Sequence, residues 1–317
     1  MNEMPTTPDY RQVQWDAELE HHLRLLIRLA VLEDLDRYHD WTTLALVPAA
    51  AEGAAEVVSR QQGTLAGLAA IPVILDEMNA QVTWSPAAQD GDPAQAGQSL
   101  GTLSGSSRDL LVLERPLLNL VSRLSGIATL TRQYVDQIAD STARIYDTRK
   151  TTPGWRRLEK YAVRCGGGYN HRSGLYDGIL IKDNHLATQD NQEAASPAAA
   201  LTQVRRFIDQ YQAENPMPEN LLVEIEVDTL EQLADALDAT PDIVLLDNMS
   251  EEKLLEAVAC RDRLSPATEL EASGGVTLDQ LAAIATSGVE RISAGALTHA
   301  ASALDIGLDW VDVKRTG

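Results

Sequence analysis

Two hydrophobic patterns divide the chain. Before Ala143, apolar residues at helical spacing alternate with short β-like runs. From Ala143 onward, short apolar runs recur, and each one ends in a polar, charged or small residue. The first pattern predicts helices around an antiparallel sheet. The second pattern, with helix-like stretches between the runs, predicts parallel strands that are buried on both faces.

The first part of the chain predicts a loose tail followed by a mixed α+β unit. Its elements, in chain order, are a tail over 1–12, an amphipathic helix over 16–32, a polar turn over 33–43, a strand, turn and strand over 54–67, a helix over 71–78, further strands and turns over 81–113, and a helix over 114–134 with Pro116 in its first turn.

The second part predicts a βα repeat. Its strands are expected within 143–147, 178–183, 221–228, 242–248, 269–275 and 290–295, and its helices over 198–211, 229–237, 251–259 and 277–285. Ser250 and Thr277 are candidate helix caps. Residues 187–200 are expected to form a surface excursion, and the apolar alternation over 303–314 predicts a strand that returns to the first domain.

Composition narrows the class of protein. The chain has 317 residues, a net charge of −21 and two cysteines, Cys165 and Cys260. The absence of a long apolar run or a basic leader argues against a membrane protein and a secreted one. The strong negative charge argues against nucleic-acid or anionic-membrane binding. We therefore expect a cytoplasmic protein with reduced cysteines.

One segment of this negatively charged chain has a net positive charge. Residues 147–185 carry five Arg and three Lys against four acidic residues, a net of +4. The segment is also rich in Gly and Thr, as expected of loops around a ligand. It predicts a pocket for a small molecule with several negative charges.

Chemistry-bearing residues cluster at the ends of the predicted strands, where active sites of barrels and doubly wound sheets lie. Arg149, Lys150 and Lys182 supply cations, and His171 and Arg172 follow a triple glycine. The candidate carboxylates are Glu226 and Asp247, with Glu224 on the same face as Glu226, and the small-residue loops suited to phosphate are Ser273–Gly275 and Ala294–Ala296. Arg156, Arg157, Lys160 and Arg164 have helical spacing, which is equally typical of a solvated face or a subunit contact.

The same residues exclude several chemistries. The chain has no Ser–His–Asp signature, reactive-cysteine context or Walker A loop, and spacing gives little support to zinc at His171 and His185. Cations, small-residue loops and carboxylates together favour transfer at a sugar phosphate over hydrolysis.

The central block closely resembles the quinolinate phosphoribosyltransferase family. The matching text includes ERPLLNLVSRLSGIAT, DTRKTTPGWRRLEKYAVRCGGGYNHRSGLYDGILIKDNH, VEIEVDTLEQL, IVLLDN, LEASGGV and ISAGALTH. The resemblance implies an α/β fold with an N-terminal α/β sandwich, residues 1–125 joined by 300–317, and an incomplete, seven-stranded α/β barrel, residues 126–299. It also implies a homodimer and a Mg²⁺-dependent enzyme of NAD biosynthesis, which converts quinolinate and phosphoribosyl pyrophosphate to nicotinate mononucleotide, pyrophosphate and CO₂.

The resemblance also implies roles for single residues. Arg115 of the neighbouring subunit, with Arg149, His171, Arg172 and Lys182, would hold quinolinate, and Thr148 would also bind substrate. Lys150 would reach phosphoribosyl pyrophosphate and, with Glu226 and Asp247, form the catalytic group. Glu226 and Asp247 would hold ribose hydroxyls and the metal, while Ser273, Gly274, Gly275, Ala294, Gly295 and Ala296 would bind the 5-phosphate.

Three other functions fit the fold. They are a paralogue with another substrate, a lyase that forms a Schiff base through Lys150 or Lys182, and a phosphosugar sensor without turnover. The intact set Arg149, His171, Arg172 and Lys182 favours the quinolinate enzyme over the paralogue.

Overall fold

The computed structural model describes residues 9–188, 196–218 and 221–311. These residues form two compact units. The parallel-sheet unit comprises 9–12, 133–150 and 169–296, and the antiparallel-sheet unit comprises 13–132, 151–168 and 297–311, within the described ranges. In those ranges no helix is both long and apolar enough to cross a membrane.

The antiparallel-sheet unit has a four-stranded sheet in the order Ile306–Val311 (β12), Glu52–Ser59 (β1), Ser99–Ser106 (β5) and Val82–Pro86 (β3), and a small pair of strands, Gly63–Thr64 (β2) and Pro93–Ala94 (β4). Its predicted strands, its helix over 71–78 and the returning strand near the C-terminus are confirmed. Besides helix α4, Ser107–Gln137, the helices and strands of this unit are, in chain order, α1 Ala17–Leu35, α2 Trp41–Leu46, β1 Glu52–Ser59, β2 Gly63–Thr64, α3 Ala70–Glu77, β3 Val82–Pro86, β4 Pro93–Ala94, β5 Ser99–Ser106, α5 Arg156–Cys165 and β12 Ile306–Val311.

Helix α4 is longer than the sequence predicted. It spans Ser107–Gln137, so the run over 108–113 is helical rather than β, and Pro116 lies inside the helix instead of in its first turn. The short apolar run fits either structure, and its burial against the rest of the core decides in favour of the helix. Gly126 allows the backbone of Ser302 to approach the helix, because a Cβ there would overlap the Ser302 carbonyl.

The polar turn expected over 33–43 is also wrong at both ends. Helix α1 continues to Leu35, and α2 begins at Trp41. Asp40 caps α2 by accepting a hydrogen bond from the Thr43 N–H at 3.0 Å. The acidic side chains that suggested a turn therefore include the cap of a helix.

The parallel-sheet unit contains six described strands in the order Arg144–Tyr146 (β6), Arg291–Ser293 (β11), Glu269–Ser273 (β10), Ile243–Asp247 (β9), Val223–Val227 (β8) and Ile179–Ile181 (β7). A single parallel bridge from Tyr146 to Tyr169 adds a seventh segment beside β6. This is the strand order of a βα barrel left open between Tyr169 and β7, and all six predicted strands are confirmed. The strands are β6 Arg144–Tyr146, β7 Ile179–Ile181, β8 Val223–Val227, β9 Ile243–Asp247, β10 Glu269–Ser273 and β11 Arg291–Ser293.

The predicted helices between these strands are present, with one corrected start. Ser250 caps helix α9, Glu251–Leu264, as predicted, since its side chain accepts from the Lys253 N–H. Thr277 is not a cap, because α10 begins four residues later and its N-cap is Gln280. The helices are α6 Asp183–Leu186, α7 Pro197–Gln212, α8 Leu230–Asp238, α9 Glu251–Leu264, α10 Leu281–Thr286 and α11 Ala296–His299.

The expected loose tail is not loose where it is described. Residues 1–8 lie outside the described residues, but Tyr10 has only 3% of its surface exposed. Its side chain packs with Leu222 and Ile243 of the parallel-sheet unit. Burial of one aromatic ring therefore fixes a segment whose polar composition suggested disorder. Of the expected surface excursion over 187–200, residues 189–195 lie outside the described residues.

Candidate active site

Strand register brings the predicted residues to one edge of the parallel sheet. Leu180 pairs with Glu224, so Lys182 and Glu226 lie side by side two residues further on. On β9 and β10, Asp247 pairs with Ser273. Since parallel strands end at the same edge, side chains that are far apart in the sequence converge there.

A cavity of about 540 Å³ opens at this edge, which is within the range of small-ligand sites. Eleven of the predicted substrate residues line it, and they include both carboxylates and every predicted basic residue except Arg115. The lining residues are Thr148, Arg149, Lys150, His171, Arg172, Leu180, Lys182, Glu226, Leu245, Asp247, Asn248, Glu271, Ser273, Gly274, Gly275 and Ser293.

The cavity has opposite charges in direct contact. The Lys182 ammonium donates a hydrogen bond to the Glu226 carboxylate, and 40% of the Lys182 side chain remains exposed. Arg172 is more deeply placed, with 6% of its surface exposed, and donates to the Gly178 carbonyl at 3.3 Å. Lys182 can therefore meet an entering anion from solvent, whereas Arg172 is held in place by the fold.

Asn248 shapes the small-residue loop. Its side-chain amide donates to Asp247 Oδ2 at 2.7 Å, and its backbone N–H donates to the Ser273 carbonyl at 2.9 Å. Gly274 has a φ of +94°, and a Cβ there would overlap the Asn248 side-chain oxygen. Glycine is therefore required at this position for both its conformation and its close approach to Asn248.

A buried ionic layer lies directly below the cavity. Nε2 of His171 lies 3.1 Å from the Glu224 carboxylate and 3.5 Å from that of Glu271, and both carboxylates are fully buried. The Tyr10 hydroxyl donates to Glu224 at 2.6 Å, and Arg291 Nε donates to Glu271 at 3.0 Å.

The layer continues through a second set of charges. Arg291 also donates to Asp9 at 3.0 Å and to Glu269 at 3.1 Å, and its guanidinium lies 3.7 Å from the Tyr146 ring centroid. Arg144 donates to both oxygens of Glu269, at 2.7 and 2.9 Å. We call the network formed by these residues the ionic layer; its members are Asp9, Tyr10, Arg144, Tyr146, His171, Glu224, Glu269, Glu271 and Arg291.

Charge balance explains the protonation of this layer. Its four carboxyl groups outnumber its two guanidinium groups by two, and a net buried charge is costly. Burial raises the pKa of Glu271. Burial alone would lower the pKa of His171, but Glu224 and Glu271 outweigh it and raise that pKa above its ordinary value. A cationic His171 would offset part of this excess of negative charge.

The hydrogen bond made by Nδ1 of His171 opposes a positive charge on the imidazole. His171 Nδ1 accepts from the Arg172 N–H at 2.8 Å, which is the arrangement of a neutral ring with its proton on Nε2. The cation requires that bond to be given up. The two carboxylates near Nε2 favour the cation, whereas this single neutral bond favours the neutral ring, and the net effect is a pKa above the ordinary value.

Metal chemistry fits the cavity better than the ionic layer. His171, Glu224 and Glu271 could geometrically hold an ion, but one oxygen of Glu271 already accepts from Arg291 and one oxygen of Glu224 accepts from Tyr10. His185 belongs to no cluster of three or more metal-ligating side chains in the described part of the chain. Glu226 and Asp247 present carboxylate oxygens at the cavity, the ligands that Mg²⁺ prefers.

The comparisons with known proteins identify the family. A family model described as the quinolinate phosphoribosyl transferase C-terminal domain matches residues 127–309, and the corresponding N-terminal domain matches residues 40–125. The chain belongs to the quinolinate phosphoribosyltransferase family. The resemblance seen in the sequence motifs is thereby confirmed.

Similarity to other members of the quinolinate phosphoribosyltransferase family extends over most of the chain. The chain is 42% identical over 287 residues to a nicotinate-nucleotide pyrophosphorylase (carboxylating) of Mycobacterium leprae. The aligned region covers 89% of this chain and 95% of that protein. A quinolinate phosphoribosyltransferase (decarboxylating) of Nicotiana glauca is 36% identical, with 92% and 83% covered. The solved nicotinate-nucleotide pyrophosphorylase of Francisella tularensis superposes with a TM-score of 0.82 at 32% identity, covering 96% of this chain and 100% of that one.

Four predicted site residues do not line the cavity of this quinolinate phosphoribosyltransferase family member. Ala294, Gly295 and Ala296 follow β11 directly after Ser293, which does line it. Arg115 lies on α4 with 68% of its side chain exposed and pairs with the adjacent Glu114 at 2.9 Å. Their roles stay predictions.

Sequence reasoning missed three residues of the site. Asn248 stood beside Asp247 without an assigned role, and Tyr10 carried no local signal. Glu271 could have been found, because the alternation Glu269, Glu271, Ser273 places all three side chains on the face that carries the site. Glu224 was expected to share the role of Glu226, but it is fully buried and belongs to the ionic layer.

Glu271→Gln tests the charge balance of the ionic layer. The change removes one of two carboxylates near His171 at almost constant volume, so we expect the pKa of His171 to fall relative to the unchanged protein. The measurement is an NMR titration of the imidazole signals between about pH 5 and 9, with His171→Asn to assign the resonance.

The raised pKa of His171 also makes the stability of the fold depend on pH. A His pKa raised by folding stabilises the fold below the unfolded pKa, and this contribution is lost as the pH rises through the folded pKa. A His171 signal that titrates at or below the ordinary value, or is unmoved in Glu271→Gln, would contradict the assignment.

Proposed function

We propose that this chain transfers the phosphoribosyl group of phosphoribosyl pyrophosphate to quinolinate, with decarboxylation, in the synthesis of NAD. The observation that carries the proposal is the cavity itself. It collects Arg149, Lys150, Arg172 and Lys182 in a chain whose net charge is −21. Such a site suits two small molecules that are both strongly anionic.

The cations divide between the two substrates. Arg149, His171, Arg172 and Lys182, with Thr148, hold the two carboxylates of quinolinate. A carboxylate that binds Lys182 replaces Glu226 as the partner of the ammonium. A paired ammonium suits anion binding better than Schiff-base chemistry.

The phosphoribosyl group occupies the other part of the cavity. Lys150 faces the pyrophosphate and the reacting carbon, and Glu226 and Asp247 accept hydrogen bonds from the ribose hydroxyls. The backbone N–H groups of Ser273–Gly275 and of Ala294–Ala296 bind the 5-phosphate. The positive φ values of Gly274 and Gly275, +94° and +57°, support such a phosphate loop.

We propose that Mg²⁺ accompanies the phosphoribosyl substrate, held by Glu226 and Asp247. When bound, it would neutralise part of the pyrophosphate charge. The chain's own contribution is the arrangement of oxygen ligands, which Asn248 helps to fix by donating to Asp247.

Positioning and charge neutralisation account for the chemistry. The bond from C1 of the ribose to pyrophosphate breaks, and Lys150 stabilises the charge on the leaving group. The ring nitrogen of quinolinate forms the new bond to C1. The pyridinium then accepts the electrons of the adjacent C–CO₂ bond, CO₂ departs, and the ring carbon takes a proton. No covalent bond to the enzyme is needed.

An assay with purified protein tests the function. Quinolinate and phosphoribosyl pyrophosphate with Mg²⁺ should give nicotinate mononucleotide, with one CO₂ for each pyrophosphate, and chelation of the metal should stop the reaction. Release of CO₂ from carboxyl-labelled quinolinate measures turnover directly. Tight binding of phosphoribosyl pyrophosphate without product would favour a sensor, and turnover with another acceptor would favour a paralogue.

The quinolinate cations have a distinct kinetic signature. Arg172→Ala and Lys182→Ala should each raise KM for quinolinate by roughly 10- to 100-fold, the size expected for losing a charged hydrogen bond, and change KM for phosphoribosyl pyrophosphate much less. The matched control is Arg206→Ala, an exposed cation on α7. Either variant with unchanged KM for quinolinate would show that its residue is wrongly assigned.

We also propose that the enzyme is a homodimer that completes each site with Arg115 of the partner subunit. Arg115 is exposed and lies in the antiparallel-sheet unit. The same unit carries exposed Leu25, Leu29 and Leu32 at helical spacing on α1. An apolar stripe of this kind is typical of a surface that another chain covers.

Mixed dimers test the shared site. An Arg115→Ala chain and a Lys150→Ala chain should each be nearly inactive alone, because each lacks one cation at every site. A mixed dimer contains one site with both cations, so mixing should restore up to about half of the wild-type activity of that dimer. The measurement is turnover after the two chains are refolded together. As a control for subunit exchange, Arg115→Ala and wild-type chains that carry different labels are refolded together, and the mixed dimers are detected by their two labels. Exchange without restored activity would contradict sharing.

We further propose that the protein works in the cytoplasm. Cys165 and Cys260 are both free thiols, in keeping with a reducing compartment.

A further inference from the structure

The segment ahead of the first helix reaches the site from outside the part of the chain that the family models match. Those matches cover 40–125 and 127–309. Residues 9–12 precede them and belong to the parallel-sheet unit. We call these residues the N-terminal strap.

Tyr10 of the strap makes two contacts with the His171 environment. Its ring stacks on the imidazole with centroids 4.6 Å apart and planes inclined by 25°. Its hydroxyl donates to Glu224 at 2.6 Å, and Glu224 also lies 3.1 Å from His171 Nε2. One side chain therefore contacts both the face of the imidazole and the carboxylate that pairs with its edge.

The rest of the strap fixes the backbone on either side of this contact. Gln12 exchanges two hydrogen bonds with the backbone of Asn170, at 2.8 and 3.1 Å. Asp147 accepts from the Asn170 side chain at 2.7 Å and from the His171 N–H at 2.9 Å. The residue before His171 is thus held by the strap, and His171 itself by the end of β6.

Asp9 anchors the other side of Tyr10. It accepts from Arg291 at 3.0 Å and from the Tyr146 hydroxyl at 2.8 Å. Both partners are fully buried residues of the parallel sheet. Tyr10 therefore lies between two anchored neighbours, and its ring has little freedom to leave the imidazole.

We propose that Tyr10 is a positioning residue that holds the imidazole of His171 for the dicarboxylate substrate. The inference rests on the proposed function and deepens it, since it makes the strap part of the quinolinate subsite. Tyr10 does not line the cavity and touches no substrate; it acts through the ring that does line it.

The physical reason is the competition around His171. Glu224 and Glu271 both attract Nε2, at 3.1 and 3.5 Å. The Tyr10 hydroxyl orients Glu224, and the stacked ring limits rotation of the imidazole. Without either constraint the ring could turn toward Glu271, and its orientation toward the cavity would no longer be unique.

Tyr10→Phe separates these constraints, because it keeps the stacked ring and removes only the hydroxyl. The matched control is Tyr161→Phe, which removes a partly buried hydroxyl bonded to a carboxylate, Asp90 at 2.8 Å, in the antiparallel-sheet unit. We expect Tyr10→Phe to raise KM for quinolinate about tenfold, as for one hydrogen bond to a charged group, and to change KM for phosphoribosyl pyrophosphate less than about twofold. Tyr161→Phe should leave both within about twofold.

A double-mutant cycle decides whether Tyr10 acts through His171. The effect of Tyr10→Phe should disappear in a His171→Asn background, with quinolinate affinity measured by calorimetry as well as by kinetics. Full additivity, an unchanged KM for quinolinate, or equal rises in both KM values with a lowered melting temperature would each overturn the inference. Wild-type protein that forms no nicotinate mononucleotide would contradict the proposed function and this inference together, whereas an active wild type with an unaffected Tyr10→Phe variant would contradict only the inference.

Discussion

The pairing of Arg291 with the buried carboxylates is the interaction on which the rest of the parallel-sheet unit depends. Arg291 is fully buried and contacts three acidic residues, Asp9, Glu269 and Glu271. Removing one member of such a network would leave its partners as uncompensated buried charges, which is far more costly than losing a surface ion pair. The sheet can therefore have a polar inner face only while the whole ionic layer is complete.

The layering of that face follows from the two-residue period of a strand. Glu224 and Glu226 share one face of β8, and Arg291 and Ser293 share one face of β11. In each pair the first residue is buried in the ionic layer and the second reaches the cavity. The same strands therefore supply both the rigid layer and the groups above it, and a rigid support of this kind keeps catalytic groups in place without movement during reaction.

The spacing of apolar and polar residues along the chain was enough to predict the features that short segments determine. The six strands, the charged residues that follow them and the small-residue loop after β10 all follow from short runs of residues and from the rule that parallel strands end together. The boundaries of α4 were missed because the apolar run of four residues, Leu110–Leu113, fits a helix or a strand equally well, and tertiary burial decides between them. Thr277 was wrongly predicted to cap α10. A hydroxyl ahead of an apolar run resembles a helix cap, but α10 begins only at Leu281, four residues later.

What the sequence could not provide were contacts between distant residues. Tyr10 and Glu224 are separated by 214 positions, and nothing near Tyr10 distinguishes it from any other aromatic residue in a polar segment. Glu271 was visible by its alternation with Ser273, but its protonation depends on the number of carboxylates that surround it, and that number exists only after folding. The charge of His171 depends in turn on Glu271. The electrostatic state of the proposed quinolinate subsite is therefore a property of the whole ionic layer, including a strap that the family models do not match, and it cannot be assigned from the central motif alone.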